Sequence, residues 1–450
     1  MIALKKYLFV ATLVFSCTVQ AQKVQSIATA FDATKRPRNL SDSGLLDLVQ
    51  KQTFRYFWDF AHPVSGMARE RSNENFGYGN ETVTTGGTGF GIMSVIVAVE
   101  RKWISRDTAA KFLRKMINFL VKANSYHGVF PHWMDGATGK TIPFSRKDDG
   151  ADLVESSYLF QGLLCARQYF NGDSPAEREF RGKLNWIWKG VEWDWFTRGG
   201  QEVLYWHWSP NNGWAMNFPV RGFNECLIMY ILAASESDQY AVPASVYHRG
   251  WAESNFFKNG KTFYNHKLPL GFDYGGPLFF SQYSFLGLDP NGLKDRYADY
   301  WEQNKNHTLI NHDYCVDNPK AFKGYGANCW GLTASDTWNG YDAHSPTNDN
   351  GTITPTAALS AFPYTPEYSM QALKHFYYDL GDKIWSEYGF IDAFNETKNW
   401  YAKSHLAIDQ GPIIVMIENY RSGLLWKLFM SCPEIKSALK KLDFKSPYLN

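Results

Sequence analysis

Apolar segments of helical length alternate along this chain with long loops rich in glycine and aromatic residues, and that alternation limits the fold more than any other feature. Residues 45–60 carry apolar side chains at helical spacing, with Ser41 or Ser43 before them as a cap. Residues 89–99 are apolar and expected to be buried, and residues 108–121 are amphipathic. Residues 152–170 read as a strong helix. Ser174-Pro175 starts another that reaches residue 190, a cap followed by proline at the first helical position. Residues 225–235 are short and apolar, and residues 243–251, 293–303, 366–380 and 413–429 complete the helical set. Partial alternation over residues 262–272 predicts minor β-structure. There is no βαβ alternation and no fixed-period repeat. Loops such as Phe130-Pro131-His132-Trp133 and Tyr205-Trp206-His207-Trp208 suit a helical scaffold that carries its function on one rim. At 450 residues the chain suffices for two or three average domains, or for one large helical toroid or barrel. No Pro/Ser linker divides it, so one catalytic domain over residues 40–450 is expected.

The N-terminus reads as a secretory leader over residues 1–21. Lys5 and Lys6 are its basic start, residues 7–14 its apolar stretch, and Val19-Gln20-Ala21 its cleavage pattern, followed by a polar linker over residues 22–39. Cys17 follows Leu13-Val14-Phe15-Ser16, which loosely resembles a lipoprotein box, so a lipid anchor at Cys17 is the alternative. The expected location is periplasmic or secreted, or the outer membrane if Cys17 is lipidated. Removing Lys5 and Lys6 takes Lys+Arg from 46 to 44, equal to the 44 Asp+Glu, so the remaining chain has no net charge. No basic stripe favours nucleic acid, and no later segment is long and apolar enough to span a bilayer. A neutral polysaccharide is compatible with that balance, and a monomer is expected. Of the five later cysteines, Cys315 and Cys329 bracket a Gly-rich loop and could pair in an oxidising compartment. Cys165, Cys226 and Cys432 lie in apolar stretches as buried thiols. No CxxC or HExxH spacing appears, so no metal or organic cofactor is expected.

The chemistry-bearing residues are carboxylates. In Asp148-Asp149-Gly150-Ala151-Asp152-Leu153-Val154-Glu155, residues 148, 152 and 155 stand at i, i+4 and i+7, which on a helix is one face. Glycoside hydrolysis needs paired carboxylic acids in a cleft. Seventeen per cent of the chain is aromatic, with 17 Trp and 26 Tyr, which fits a sugar cleft. Asp149 is also read as an N-cap, with Asp152 three residues on echoing a capping box. Glu225 heads an apolar helix. Its apolar neighbours would raise its pKa as a general acid requires, while a helix N-terminus favours the anion. Asp409 sits in a turn before a helix, as a second catalytic carboxylate or a cap. Glu418 and Arg421 stand one helical turn apart, as an i,i+3 ion pair or as substrate contacts. Trp133, Trp206, Trp208, Trp330, Trp338 and Trp400 are candidates to stack on sugar faces, and a loop position favours that over a core role. His132, His207 and His344 have no metal-like spacing and read as hydrogen-bonding groups.

Several motifs in order resemble the glycoamylase-like bacterial proteins, and within them glycoside hydrolase family 144, the β-1,2-glucanases. They are Asp149-Gly150-Ala151-Asp152-Leu153-Val154-Glu155, Gly222-Phe223-Asn224-Glu225-Cys226, Gly351-Thr352-Ile353-Thr354-Pro355-Thr356, Phe362-Pro363-Tyr364-Thr365-Pro366-Glu367, Gly389-Phe390-Ile391-Asp392-Ala393-Phe394-Asn395, Ile408-Asp409-Gln410-Gly411-Pro412 and Glu418-Asn419-Tyr420-Arg421. The resemblance spans residues 45–432. It implies an all-α (α/α)6 toroid with a wide cleft on one face, and inverting hydrolysis of β-1,2-glucan, endo-acting or exo-acting with release of sophorose. It implies a key glutamate at Glu225 and required acids at Asp148, Asp152 and Glu155, with Asp409 a weaker candidate for the base. Asp149, Trp133, Trp208, Trp330, Tyr364, Glu418 and Arg421 are the expected substrate-binding residues. The competing readings are a glucoamylase or other glucosidase on the same toroid, and a non-catalytic glycan-binding protein.

Overall fold

Ser41 starts the first helix: its hydroxyl accepts the Gly44 N–H at 3.1 Å, and α1 then runs Asp42–Trp58. The computed structural model describes residues 31–72, 79–235 and 239–449, so the leader and Cys17 lie outside the described residues. Residues 31–39 of the expected linker are not a free tether. Arg36 is buried, donates to the Tyr377 carbonyl at 2.8 Å and pairs with Asp382.

Helix α2 (Thr85–Glu100) is buried along nearly its whole length. It packs against α4 (Leu153–Tyr169) on one side and α11 (Ala407–Ser422) on another, and α1 packs on α11. Glycine makes the first contact close. A Cβ on Gly89 would lie 2.1 Å from the Tyr158 carbonyl oxygen, and one on Gly162 would lie 2.0 Å from the Gly89 oxygen. The two backbones therefore touch, which no side chain at those positions would allow. Around this centre lie α3 (Arg106–Leu120), α5 (Pro175–Lys189, capped by Ser174), α6 (Leu227–Ala234) and α7 (Tyr300–Asp317). The rest are α8 (Pro355–Leu359), α9 (Pro366–Lys374), α10 (Gly381–Ile384), α12 (Leu424–Met430) and α13 (Pro433–Lys441).

The strands are short. β1 (Thr82–Thr84), β2 (Trp133–Asp135) and β3 (Thr141–Ile142) form an antiparallel sheet, and β4 (Ala151–Asp152) pairs β5 (His207–Trp208) with Asp152 opposite His207. β6 (Thr262–Phe263) with β7 (His266–Lys267), and β8 (Ala334–Thr337) with β9 (Gly340–Ala343), are hairpins. The chain is thus mainly helical with little sheet, as expected. Two apolar clusters hold it. The larger gathers α2, α3, α4, α6 and α13, and the smaller gathers the start of α1 with Trp330, α8 and α9.

Some expectations fail for identifiable reasons. The helix expected over residues 293–303 starts at Tyr300, because the Asp299 carboxylate accepts the Trp301 and Glu302 N–H groups and fixes the start there. Its later turns bury Gln303, Asn304, His307 and Asn311, so no apolar period marks them. The segment over 413–429 is two helices, since Gly423 adopts φ 67° between α11 and α12. Helix α9 passes into a π-helical turn, His375–Asp379, and α13 was not anticipated. Cys315 and Cys329 are free and buried, as are Cys165, Cys226 and Cys432, so the pairing considered for the first two is absent. Among the described residues no helix is long and apolar enough to cross a membrane.

Candidate active site

Asp152 is extended at the end of β4 and caps α4, its Oδ1 accepting the Glu155 N–H at 2.9 Å. Asp148 precedes β4 in a turn and is not helical. The acids at 148, 152 and 155 therefore do not share a helix face. The β4–β5 pairing, which sets Asp152 opposite His207, holds residues 151–152 extended instead. Asp149 is not the cap. Its carboxylate accepts from Ser209 and from Asn211 Nδ2 at 2.6 Å, which pins the neighbouring turn outside the cavity.

Asp152 is the hub. The Trp206 indole N–H donates to its Oδ1 at 2.9 Å, and His132 Nδ1 lies 2.9 Å from its Oδ2. His207 Nε2 stands 3.3 Å from Asp148 Oδ2 and 3.8 Å from Asp152 Oδ2. Burial acts to raise Asp152, but the hydrogen bond and charge of His132, with His207, hold it below the usual carboxylate range. Burial acts to lower His132, yet the charges at Glu155, Asp152 and Asp148 push it up to about 9. Burial lowers His207. Burial, then the Asp152 charge, pushes Asp148 up to about 7. The donor atoms of His132, Asp148 and Asp152 lie within 4.8 Å of one another, but both Asp152 oxygens are already committed to hydrogen bonds.

Glu155 lies on the first turn of α4, and its Oε2 accepts the Gly86 N–H at 2.8 Å. A Cβ on Gly86 would stand 2.4 Å from that oxygen, so only glycine lets α2 receive the carboxylate here. Burial pushes Glu155 up to about 7. Glu225 lies in the turn before α6, its carbonyl bonded by Ser284. Its Oε2 is buried with no protein hydrogen-bond partner, and burial pushes the carboxyl up to about 7. Of the two opposed effects at the head of this helix, burial wins.

Glu155 and Glu225 both line one cavity of about 330 Å³. Seven aromatic side chains line it: Trp133 on β2, Phe144 after β3, Tyr158 on α4, Trp206 before β5, Phe279 and Tyr283 from the segment before α7, and Tyr341 on β9. His132, Glu70 and Arg71 add charge. Asp409 lies next to the wall residue Ile408, at the start of α11, and its Oδ1 accepts from Tyr283 at 3.4 Å. Burial pushes Asp409 up to about 7, and it is hydrogen-bonded to Asp392. Burial, then the charge of Asp409, holds Asp392 well above the carboxylate range. Behind them Arg71 Nη1 reaches both oxygens of Asp336 at 3.0 Å, and the Asp336 N–H donates to Asp392 Oδ2 at 2.7 Å.

Of the residues expected to bind substrate, Trp133 lines this cavity, as does Trp206 among the stacking candidates. Trp208 is half-buried against His127 and Trp195, at 4.9 and 6.1 Å between ring centres. Trp330 is fully buried and offers no face to a sugar. Tyr364 is buried, its hydroxyl bonded to Asn304 at 3.2 Å. Glu418 and Arg421 do not pair: Glu418 takes Arg101 at 2.8 Å and Arg421 takes Asp47 at 2.6 Å. Nine residues along α11 put Glu418 about 14 Å from Asp409, away from the cavity. Sequence reasoning missed Glu70, Arg71, Tyr158, Phe279, Tyr283, Asp336, Tyr341 and Asp392. Of these, Asp392 lies inside one of the quoted motifs and Tyr341 in the aromatic loop Trp338-Asn339-Gly340-Tyr341.

A family model named Glycoamylase, described as "Putative glucoamylase", matches residues 217–433. An exo β-1,2-glucooligosaccharide sophorohydrolase (non-reducing end) of Parabacteroides distasonis is 44% identical over 426 residues, 90% of this chain and 58% of its own. The chain thus spans little more than half of that curated relative. A Bacteroides uniformis structure, named as a glucoamylase of the same provisional kind, is 62% identical, with TM-score 0.89, covering 92% of this chain and 100% of that one. The endo-β-1,2-glucanase of Chitinophaga pinensis, in complex with sophorotriose and glucose, is 57% identical, with TM-score 0.88, covering 91% and 100%.

Proposed function

The chain belongs to the glycoamylase-like family, together with the β-1,2-glucanases of glycoside hydrolase family 144, and from that premise we propose that it hydrolyses β-1,2-linked glucose polymers with inversion. The observation that carries this reading is Glu225: a buried carboxyl lining an aromatic cavity, with Oε2 unbonded to protein and its pKa pushed up to about 7. Such a group holds a proton near neutral pH and can give it to the leaving oxygen, directly or through a substrate hydroxyl. Asp152 is unsuited to activate water, because His132, Trp206 and the α4 N-terminus already use its oxygens. Its part is to hold His132 and Trp206 in the wall. Asp409 is the base in this reading. Tyr283 and Asp392, the latter held protonated, hydrogen-bond to it beside the wall residue Ile408, and its raised pKa of about 7 suits a group that takes up a proton. An inverting pair stands ~6.5–9.5 Å apart, leaving room for the attacking water.

The scaffold is read as an (α/α)6 toroid forming one catalytic domain, with export through a cleaved leader and a monomeric state. The linkage rests on the names of the two glucan-cleaving relatives, which include both exo and endo action. The test is Glu225→Gln assayed on β-1,2-glucan and on starch beside wild type. The reading expects wild type to cleave β-1,2-glucan, and Glu225→Gln to lose activity roughly 10²–10⁴-fold while still binding it. A glycan-binding protein would be indifferent to the change, and cleavage of starch with β-1,2-glucan untouched would overturn the linkage.

A further inference from the structure

Phe279 in the cavity wall begins a line of rings that leads outward to the surface. Its ring centre lies 4.8 Å from Phe280, Phe280 lies 6.3 Å from Phe272, and Phe272 stacks on Phe256 at 5.4 Å with 25° between planes. Phe272 is 42% exposed and Phe256 66% exposed. Two large rings stacked on each other in solvent are not core packing, and an exposed apolar patch joined ring by ring to a cavity wall is a surface on which a bound chain can continue. The backbone under the patch is built for it. Phe256 holds φ 65°, a conformation that disfavours a bulky residue. Gly276 at φ 78° leaves bare main chain under the Phe280 ring, where a Cβ would come within 3.0 Å of it. Polar groups flank the patch, with Asp273 held by Lys261 at 2.9 Å and Asn259 at 3.1 Å. The patch is also tied to the acid: Phe223, two residues before Glu225, donates its N–H to the Phe256 carbonyl at 3.3 Å.

Building on the glucan-hydrolase reading, we infer that Phe256 and Phe272 form an outer binding platform for glucose units of the same chain that occupies the cavity. The C–H faces of the sugar rings lie on the exposed aromatic faces, and sugar hydroxyls meet the Asp273 and Asn259 groups beside them. Longer chains then gain affinity that short ones cannot, without any change at the reacting bond.

The test compares wild type, Phe256→Gly, Phe272→Ala and Trp186→Ala on the β-1,2-linked trisaccharide and on long linear β-1,2-glucan. Glycine tolerates φ 65°, so Phe256→Gly removes the ring without straining the fold, and its melting temperature should not drop. The expected result is a fall in kcat/KM on the long glucan of roughly three- to ten-fold per ring, carried by KM. On the trisaccharide each variant should stay within about two-fold of wild type. Equal losses on both substrates, or none on either, would overturn the platform. So would a matching long-chain loss in Trp186→Ala, whose exposed ring lies on α5. A wild type inert on β-1,2-glucan would sink the hydrolase reading itself, and that result is separate from any failure of the variants.

Discussion

Asp152 shows how much one carboxylate can organise. It caps α4, accepts the Trp206 indole and faces His132, all while fully buried. Asp152→Ala should cost about 3–5 kcal/mol, because it strands His132 and leaves orphan donors in the interior. Asp152→Asn keeps an acceptor for Trp206 and the cap, so it should cost less. It should also bring His132 down from about 9 toward the ordinary histidine range, readable by NMR titration. A His132 pKa unmoved by that change would contradict the coupling. At this scale the acids were legible as residue types, since five carboxylates in two motifs are an unusual cost for a neutral-sugar cleft. Their arrangement was not. Spacing at i, i+4 and i+7 suggested a helical face, but pairing of β4 with β5 decides the backbone at Asp152, and that depends on a strand fifty residues away.

Among the elements, α2 meets α4 with backbone against backbone. Gly89→Ala should therefore destabilise by about 3 kcal/mol or more, since a Cβ would collide with the Tyr158 carbonyl of the partner helix. Thermal or urea unfolding checks this, and a shift of less than about 1 kcal/mol would mean that the two helices can separate cheaply. Helices with a capping residue and an apolar stripe were legible: Ser41 for α1, and Ser174-Pro175 for α5. Helix α7 was displaced because it buries amides and histidines, which carry no hydrophobic period. The break at Gly423 was hidden because apolar residues run on through it, and only the left-handed backbone marks the end of α11.

For the molecule as a whole, four buried acids around one cavity set the pH dependence. Asp148, Glu155, Glu225 and Asp409 are all raised to about 7 in the folded state. The folded protein therefore holds protons that the unfolded chain releases near pH 4, so stability falls as pH rises between about 4 and 7, and His132, raised to about 9, extends the fall toward pH 9. The melting temperature should be higher at pH 5 than at pH 8, and Glu225→Gln should gain more stability at pH 8 than at pH 5. A wild type more stable at pH 8 would contradict the burial of these groups. Asp152 works in the opposite sense, its contribution fading only below the ordinary carboxylate range. Glu70 and Arg71 were invisible to sequence reading because Asp336, the partner of Arg71 on β8, lies 265 residues further along the chain. The motifs signalled family and a mostly helical fold, and two of their acids, Glu155 and Glu225, line the cavity, whose wall exists only once the loops have closed over it.

In the proposed reading this cavity cleaves β-1,2-glucan with Glu225 as the acid and inversion at carbon 1. The most direct test is to incubate the protein with linear β-1,2-glucan and record by NMR the first anomer formed, before mutarotation. Inversion predicts sophorose or a ladder of β-1,2 oligosaccharides whose new reducing end is the α-anomer. A β-anomer would contradict inversion, and intact glucan alongside folded protein would contradict the assignment of the cavity to this reaction.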